Sequence, residues 1–141
     1  MNCPFCNIDK NRDKILYESK HSIVIFSNPR LMIGHLLVIP KRHVEKLYEL
    51  NMEERNDLFD NVIEFQKRIL QNLAGGCDIR QNCRPFQKEG RLKVNHVHVH
   101  LQPRELEDDL YKKCQIYEKD IFSDITNIDY KKLDKILQKL N

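Results

Sequence analysis

The residues best equipped for chemistry lie in one short run, Asn95-His96-Val97-His98-Val99-His100-Leu101. Its strict alternation places His96, His98 and His100 on one face of an extended strand and Val97, Val99 and Leu101 on the other. Three adjacent imidazoles on one face would each need a partner, and would repel one another if protonated. A single strand histidine is usually structural, but three in register point to a site. Neutral imidazole is both a metal ligand and a nucleophile, so the spacing leaves both chemistries open. A second cluster stands at the start of the chain, Cys3-Pro4-Phe5-Cys6. That spacing serves either a redox dithiol or half of a zinc site. A redox pair normally follows a core strand at a helix start, where the helix dipole lowers the thiol pKa, and this pair has no element before it.

Positioning these groups falls to a small set of elements. Lys14 to Ser19 and Ser22 to Phe26 read as strands of a hairpin, and His35 to Ile39 reads as a third strand between Gly34 and Pro40. Leu58, Val62, Phe65, Ile69 and Leu73 recur every three or four residues, which predicts a helix over Met52 to Leu73. Asn51 with Glu54 forms a capping box at its start, and Gly75-Gly76 provides the stop. Cys77 to Asn82 is a further strand, followed by a polar loop from Arg84 to Gly90 and the histidine strand from Lys93 to Leu101. Past Pro103 the chain turns charged and helical, with Leu133, Ile136, Leu137 and Leu140 on one face of a last helix that starts near Asn127. The expected fold class is therefore α+β: a mainly antiparallel sheet of about five strands, a long helix packed on it, and a C-terminal helical extension.

Composition narrows the setting. A chain of 141 residues allows one compact domain and little more. With 40% hydrophobic and 32% charged residues, neither a disordered nor a low-complexity class fits. The net charge of +3 permits anionic ligands but is too small to indicate nucleic acid. Five cysteines without an even framework read as reduced thiols. With no leader-like segment and no apolar run of about 18 residues, the expected location is the cytoplasm.

The run His96-Val97-His98-Val99-His100-Leu101-Gln102 resembles the signature of the histidine triad family, His-x-His-x-His followed by apolar residues. Upstream, Gly34-His35-Leu36-Leu37-Val38-Ile39-Pro40-Lys41-Arg42-His43 is similar to that family's Gly-His strand and Pro-Lys-x-His turn. Together these cover residues 1–104 as a catalytic domain, with 105–141 an extension expected to pack on it. The resemblance implies hydrolysis or transfer at the α-phosphate of a nucleotide, with adenine the expected base. His98 would attack phosphorus to give a covalent nucleotidyl-histidine, while His100 and His35 bond phosphate or leaving-group oxygens. Independently of the family, a neutral ring nitrogen attacks without first losing a proton, and two displacements have lower barriers than one. The resemblance also implies a structural zinc held by Cys3, Cys6, His43 and His96, a set that leaves no open coordination position. It further implies a homodimer.

Contacts to the nucleotide are drawn the same way. Asn28 falls near the family's ribose-binding Asn or Asp, with a turn before Pro29 as the competing reading, and Asn82 falls near a family Asn that approaches substrate. Phe26 and Leu37 are candidates for the base pocket. Where family members have Gly-Gln-Ser/Thr-Val, this chain has Gly90-Arg91-Leu92-Lys93-Val94, so Leu92 stands at the Gln position and Lys93 at the Ser/Thr position. Arg91 and Lys93 become candidate cationic phosphate contacts. Two rival readings remain at this point. One is a metal-dependent hydrolase using His96, His98 and His100 as an open site. The other is a zinc-stabilised module that binds nucleic acid or protein through Arg91 to Lys93 and the charged tail.

Overall fold

The computed structural model describes residues 2–138. They fall into two compact units, one ending at Asp108 and one beginning at Asp109. In the first, strands β1 (Ile15–Glu18), β2 (Ser22–Phe26), β3 (Leu36–Pro40), β4 (Gly76–Arg80) and β5 (Val99–Arg104) form a five-stranded sheet in the order β1-β2-β3-β5-β4, every pair antiparallel. Helix α1 (Met52–Asn72) begins at Asn51, whose side chain accepts from Glu54 N–H, while the Glu54 carboxylate accepts from Asn51 N–H. Two otherwise unpaired helix-end donors are satisfied in this way.

Alternation along the strands divides the sheet into two faces. Val24, Leu36, Val38, Val99 and Leu101 turn toward α1 and pack with Leu58, Val62, Phe65 and Ile69. Ile25, Leu37 and Ile39 turn the other way, joined by Phe5, Ile8, Ile15 and Ile23. The second face is the one that carries His98 and His100. Leu73, expected to continue the helix stripe, is instead the cap residue after Asn72 and is 52% exposed. Its methyl group comes within 2.4 Å of where a Cβ on Gly34 would lie, and Gly34 holds φ at +80°, so this entrance to β3 requires glycine.

Two strand boundaries differ from expectation for identifiable reasons. The sequence alternates from Lys93, yet β5 starts only at Val99, because the Val97 N–H donates to the Val44 carbonyl at 2.7 Å rather than to a ladder. The strand also runs through Pro103, which has no N–H to give. Opposite it, the Cys77 carbonyl accepts from Gln66 Nε2 at 3.1 Å.

The second unit comprises α2 (Asp109–Lys113), a 3₁₀ turn over Gln115–Asp120, and α3 (Asn127–Leu137), capped by Thr126, whose hydroxyl accepts from Asp129 N–H. Leu140 of the expected apolar face lies outside the described residues. No helix among the described residues is long and apolar enough to cross a membrane.

Candidate active site

Strand register assembles the site. His100 on β5 pairs with Leu37 on β3 and with Arg80 on β4, which puts all three side chains in one row on the face away from α1. His35, just before β3, shares that face, and its Nε2 lies 2.9 Å from His100 Nδ1. His98 sits beside them, its ring centroid 5.0 Å from that of His100. The structure thus brings His35, His98 and His100 together.

Hydrogen bonds fix the tautomer of each ring in turn. The Leu31 N–H donates to His35 Nδ1 at 3.1 Å, so the His35 proton resides on Nε2 and is donated to His100 Nδ1. That leaves the His100 proton on Nε2 as a free donor. His98 Nδ1–H donates to the His96 carbonyl at 2.7 Å, which leaves the Nε2 lone pair of His98 unengaged. His96 Nε2–H donates to the Pro40 carbonyl at 2.7 Å, so its Nδ1 carries a lone pair. Burial pushes His35 down to about 4, helped by the charge of His98. Burial likewise drives His100 down to about 3, with His98, His35 and Arg80 adding repulsion. His98 is also lowered, first by burial and then by the Lys93 ammonium, against the opposing bond to the His96 carbonyl. All three rings are neutral near pH 7. A neutral bare nitrogen beside a fixed N–H donor is what nucleophilic attack on an oxyanion-bearing centre needs.

His96 faces elsewhere. Its Nδ1 lies 3.4 Å from Cys3 Sγ, 3.5 Å from Cys6 Sγ and 3.2 Å from His43 Nδ1, and Cys6 Sγ lies 3.3 Å from His43 Nδ1. All four donor atoms fall within 4.8 Å of one another. A tetrahedral ion with metal–ligand bonds of about 2.0–2.3 Å has ligand edges of roughly 3.3–3.8 Å. The spacings fit that figure, and the donor set of two sulfurs and two imidazole nitrogens is of the kind that holds zinc. Cys3, Cys6, His43 and His96 can therefore hold a metal ion, and such an ion would tie the start of the chain to the histidine segment. The tie has a consequence for His98, because Phe5, inside the Cys-x-x-Cys spacer, sets its ring edge-on 5.0 Å from that of His98.

A cavity of about 360 Å³ opens beside these rings, lined in part by His35, His98, His100, Leu37 and Phe5. Asn28, Asn82, Arg91 and Lys93 all reach it. Asn82 Oδ1 accepts from Arg80 Nε at 2.9 Å, so part of its bonding capacity is spent on a neighbouring side chain. Arg91 and Lys93 occupy a turn closed by a Gly90–Lys93 bridge rather than an alternating strand. Phe26 is 44% exposed and absent from the lining, unlike Leu37. Sequence reasoning missed Phe5, Leu31, Arg80 and Arg84. Arg80 could not be placed from its neighbours, because its position opposite His100 depends on the register of β4 against β5 across a long connection. Phe5 follows from the metal reading, because its flanking cysteines draw it to His96.

The geometry defines a histidine-rich site on an antiparallel α+β sheet. The HIT domain model matches residues 9–107, and the chain belongs to the HIT, or histidine triad, family. It is 31% identical to an uncharacterised HIT-like protein of Methanocaldococcus jannaschii over 98% of each chain. It is 32% identical to adenosine 5′-monophosphoramidase of Schizosaccharomyces pombe, over 77% of this chain and 78% of the other. The asymmetrical bis(5′-nucleosyl)-tetraphosphatase of the same yeast is 32% identical over 67% of this chain, which spans about half (51%) of that enzyme. Among solved structures, a HIT family member from Bacillus subtilis superposes with a TM-score of 0.74 at 25% identity, covering 100% of this chain and 99% of the other. A zinc-bound histidine triad protein from Mycobacterium smegmatis superposes at 0.65 with 28% identity, over 78% and 80%.

Proposed function

We propose that the protein is a nucleotidyl hydrolase or transferase that acts at the α-phosphate of an adenine nucleotide through a covalent intermediate on His98. The observation that carries this reading is the pair of opposed tautomers: His98 offers a bare Nε2 lone pair, and His100 offers an Nε2–H donor fixed by His35 and Leu31. His98 Nε2 attacks phosphorus as the leaving group departs, and water or another acceptor then displaces the imidazole. His100 N–H bonds the oxygen on which charge accumulates, and His35 holds His100 in the required tautomer. Asn28 is assigned to the ribose, Arg91 and Lys93 to phosphate oxygens, and Asn82 to holding Arg80 at the same cavity. The relatives named for phosphoramidase and tetraphosphatase activity support nucleotide chemistry, and the phosphoramidase, named for adenosine, supports an adenine base.

Zinc is assigned to Cys3, Cys6, His43 and His96, supported by the donor spacing and by the zinc-bound relative. When bound it supplies structure, because four protein ligands leave no position for substrate. An open metal site on all three triad histidines is disfavoured, since His96 turns its Nδ1 to Cys3, Cys6 and His43 and its Nε2–H to the Pro40 carbonyl, which leaves it no nitrogen to share with His98 and His100. A homodimer is supported by the free edge of β4 and by Phe59, Ile63 and Leu70, apolar residues exposed on α1. The five unpaired cysteines suit a reducing cytoplasmic setting. Catalysis is tested by stereochemistry at a chiral α-phosphorus. Two successive in-line displacements retain configuration, whereas inversion would mean direct attack by water and would remove His98 as nucleophile.

A further inference from the structure

Gln102 is 3% exposed, yet among the described residues no hydrogen bond or ion pair reaches its side-chain amide. It is the second residue after His100 on β5, so its side chain shares the face that carries His100, and it lines the same cavity. On β4 it stands opposite Asp78, whose carboxylate accepts from Arg104 at 2.6 Å. A buried amide without a partner forgoes the hydrogen bonds that would offset its lost hydration. The signature that this segment resembles has an apolar residue at that position, which would carry no such cost. The amide is therefore set for something that enters the cavity.

The tautomers around His98 show what the cavity lacks. His35 Nδ1 accepts from the Leu31 N–H and His100 Nδ1 accepts from His35, so once His98 Nε2 is bonded to phosphorus none of the three rings has a lone pair to spare. His100 Nε2–H can only donate. The charged residues on the cavity, Arg30, Arg80, Arg84, Arg91 and Lys93, are donors as well. Asn82 Oδ1 already accepts from Arg80. A water that attacks phosphorus needs the reverse: an acceptor for one of its hydrogens, so that an oxygen lone pair points at phosphorus.

Position selects Gln102. In an in-line displacement the incoming water takes the side from which the leaving group departed, which is where His100 Nε2–H stands. His98, His100 and Gln102 follow one another at two-residue steps of about 6.6 Å, so the space past His100, seen from His98, belongs to Gln102. Gln87 also lines the cavity, but it is exposed on the loop after β4 and is held in no such row.

We propose that the Gln102 amide carbonyl accepts a hydrogen bond from the water that hydrolyses nucleotidyl-His98, which makes Gln102 the residue that positions the second nucleophile and directs the intermediate to water rather than to another acceptor. This inference rests on the nucleotidyl-histidine reading. The water oxygen forms a bond to phosphorus, the P–N bond breaks, and its electron pair returns to His98 Nε2. The water's proton passes to solvent, because an amide orients a water without taking its proton.

The test uses the full metal-loaded chain and the p-nitrophenyl ester of adenosine 5′-phosphate, labelled at the α-phosphorus. Release of p-nitrophenolate reads the first step, and label on His98 after a rapid acid-free quench reads the intermediate. In Gln102→Leu the first step should keep its rate while the second slows about 10- to 100-fold, so that p-nitrophenolate appears as a burst and label accumulates on His98. Gln102→Met, close to glutamine in length, should behave alike. Gln102→Glu keeps an oxygen acceptor at the same reach and should hold less label than either. An unchanged second step in the Leu and Met variants, equal slowing of both steps, or equal label in all three variants would overturn the role of Gln102 and leave the covalent reading standing. Absence of label on His98 in the parent and the variants alike would remove the intermediate, and this inference with it.

Discussion

Removing both N-terminal thiols, as Cys3→Ser/Cys6→Ser, should cost more stability than packing alone explains. The magnitude follows from the ligands meeting only on folding: Cys3 and His96 are 93 positions apart in the chain, and Cys6 and His96 are 90. A metal held by these ligands only in the folded chain stabilises it by RT ln(1 + [metal]/Kd), about 4 kcal/mol at a thousandfold excess over Kd. For a unit ending at Asp108, an unfolding entropy near 2.1 cal/mol/K per residue converts this to a fall in melting temperature of about 20 °C. The loss should also release Phe5 from its place 5.0 Å from the His98 ring, so activity should decline together with stability. The assay is thermal melting with metal content measured on the same samples, for parent and variant, each loaded with zinc and stripped by chelator. The large difference is expected only between the loaded proteins. If the variant matched the parent in zinc content and melting temperature, the ligand set would be wrong. If the gap were equally large after stripping, the thiols would be contributing packing and the metal-linkage reasoning would fail.

Three further outcomes follow from particular contacts. His35→Ala removes the donor to His100 Nδ1 and orphans the Leu31 N–H, so kcat should fall about 10- to 100-fold, with partial recovery in His35→Gln, whose amide can both accept and donate; unchanged single-turnover rates would refute the relay. Because burial holds His35 at about 4 and His100 at about 3, below the ordinary histidine value near 6.5, the unfolded chain binds protons that the folded chain refuses. Stability should therefore drop as pH falls from about 6.5 toward 4, by up to about 1.4 kcal/mol per pH unit for each histidine, and urea melts at pH 7 and pH 5 should show a smaller slope in His35→Ala. Gly34→Ala forces a side chain onto φ +80° and to 2.4 Å from a Leu73 methyl, so it should cost about 1–3 kcal/mol in denaturant melts, and an unchanged midpoint would contradict the close approach.

Much of this architecture could be read from local pattern. The capping box at Asn51 and Glu54, the strand Ser22–Phe26, and the opposed faces of the histidine segment depend on residues a few positions apart, where sequence spacing and spatial spacing coincide. Family resemblance pointed to Cys3, Cys6, His43 and His96 as a group, and their side chains do converge. What the sequence concealed depends on register and on distant partners. Nothing near Arg80 announces that it will stand across from His100, and nothing near Leu31 shows that its N–H will set the tautomer of two imidazoles in series. The late start of β5 has the same origin, since Val97 gives its N–H to Val44, more than 50 residues earlier. Pro103 survives within a strand because Gln66, on the helix, donates to the opposing carbonyl.

The central claim is a bond between His98 Nε2 and the α-phosphorus of a nucleotide. Rapid acid-free quenching after mixing with an α-labelled adenosine nucleotide, followed by peptide mapping, measures it directly. The expected result is an acid-labile adenylyl group on the peptide containing His98, absent from His98→Ala. Label on another residue, or label that persists in His98→Ala, would contradict the account.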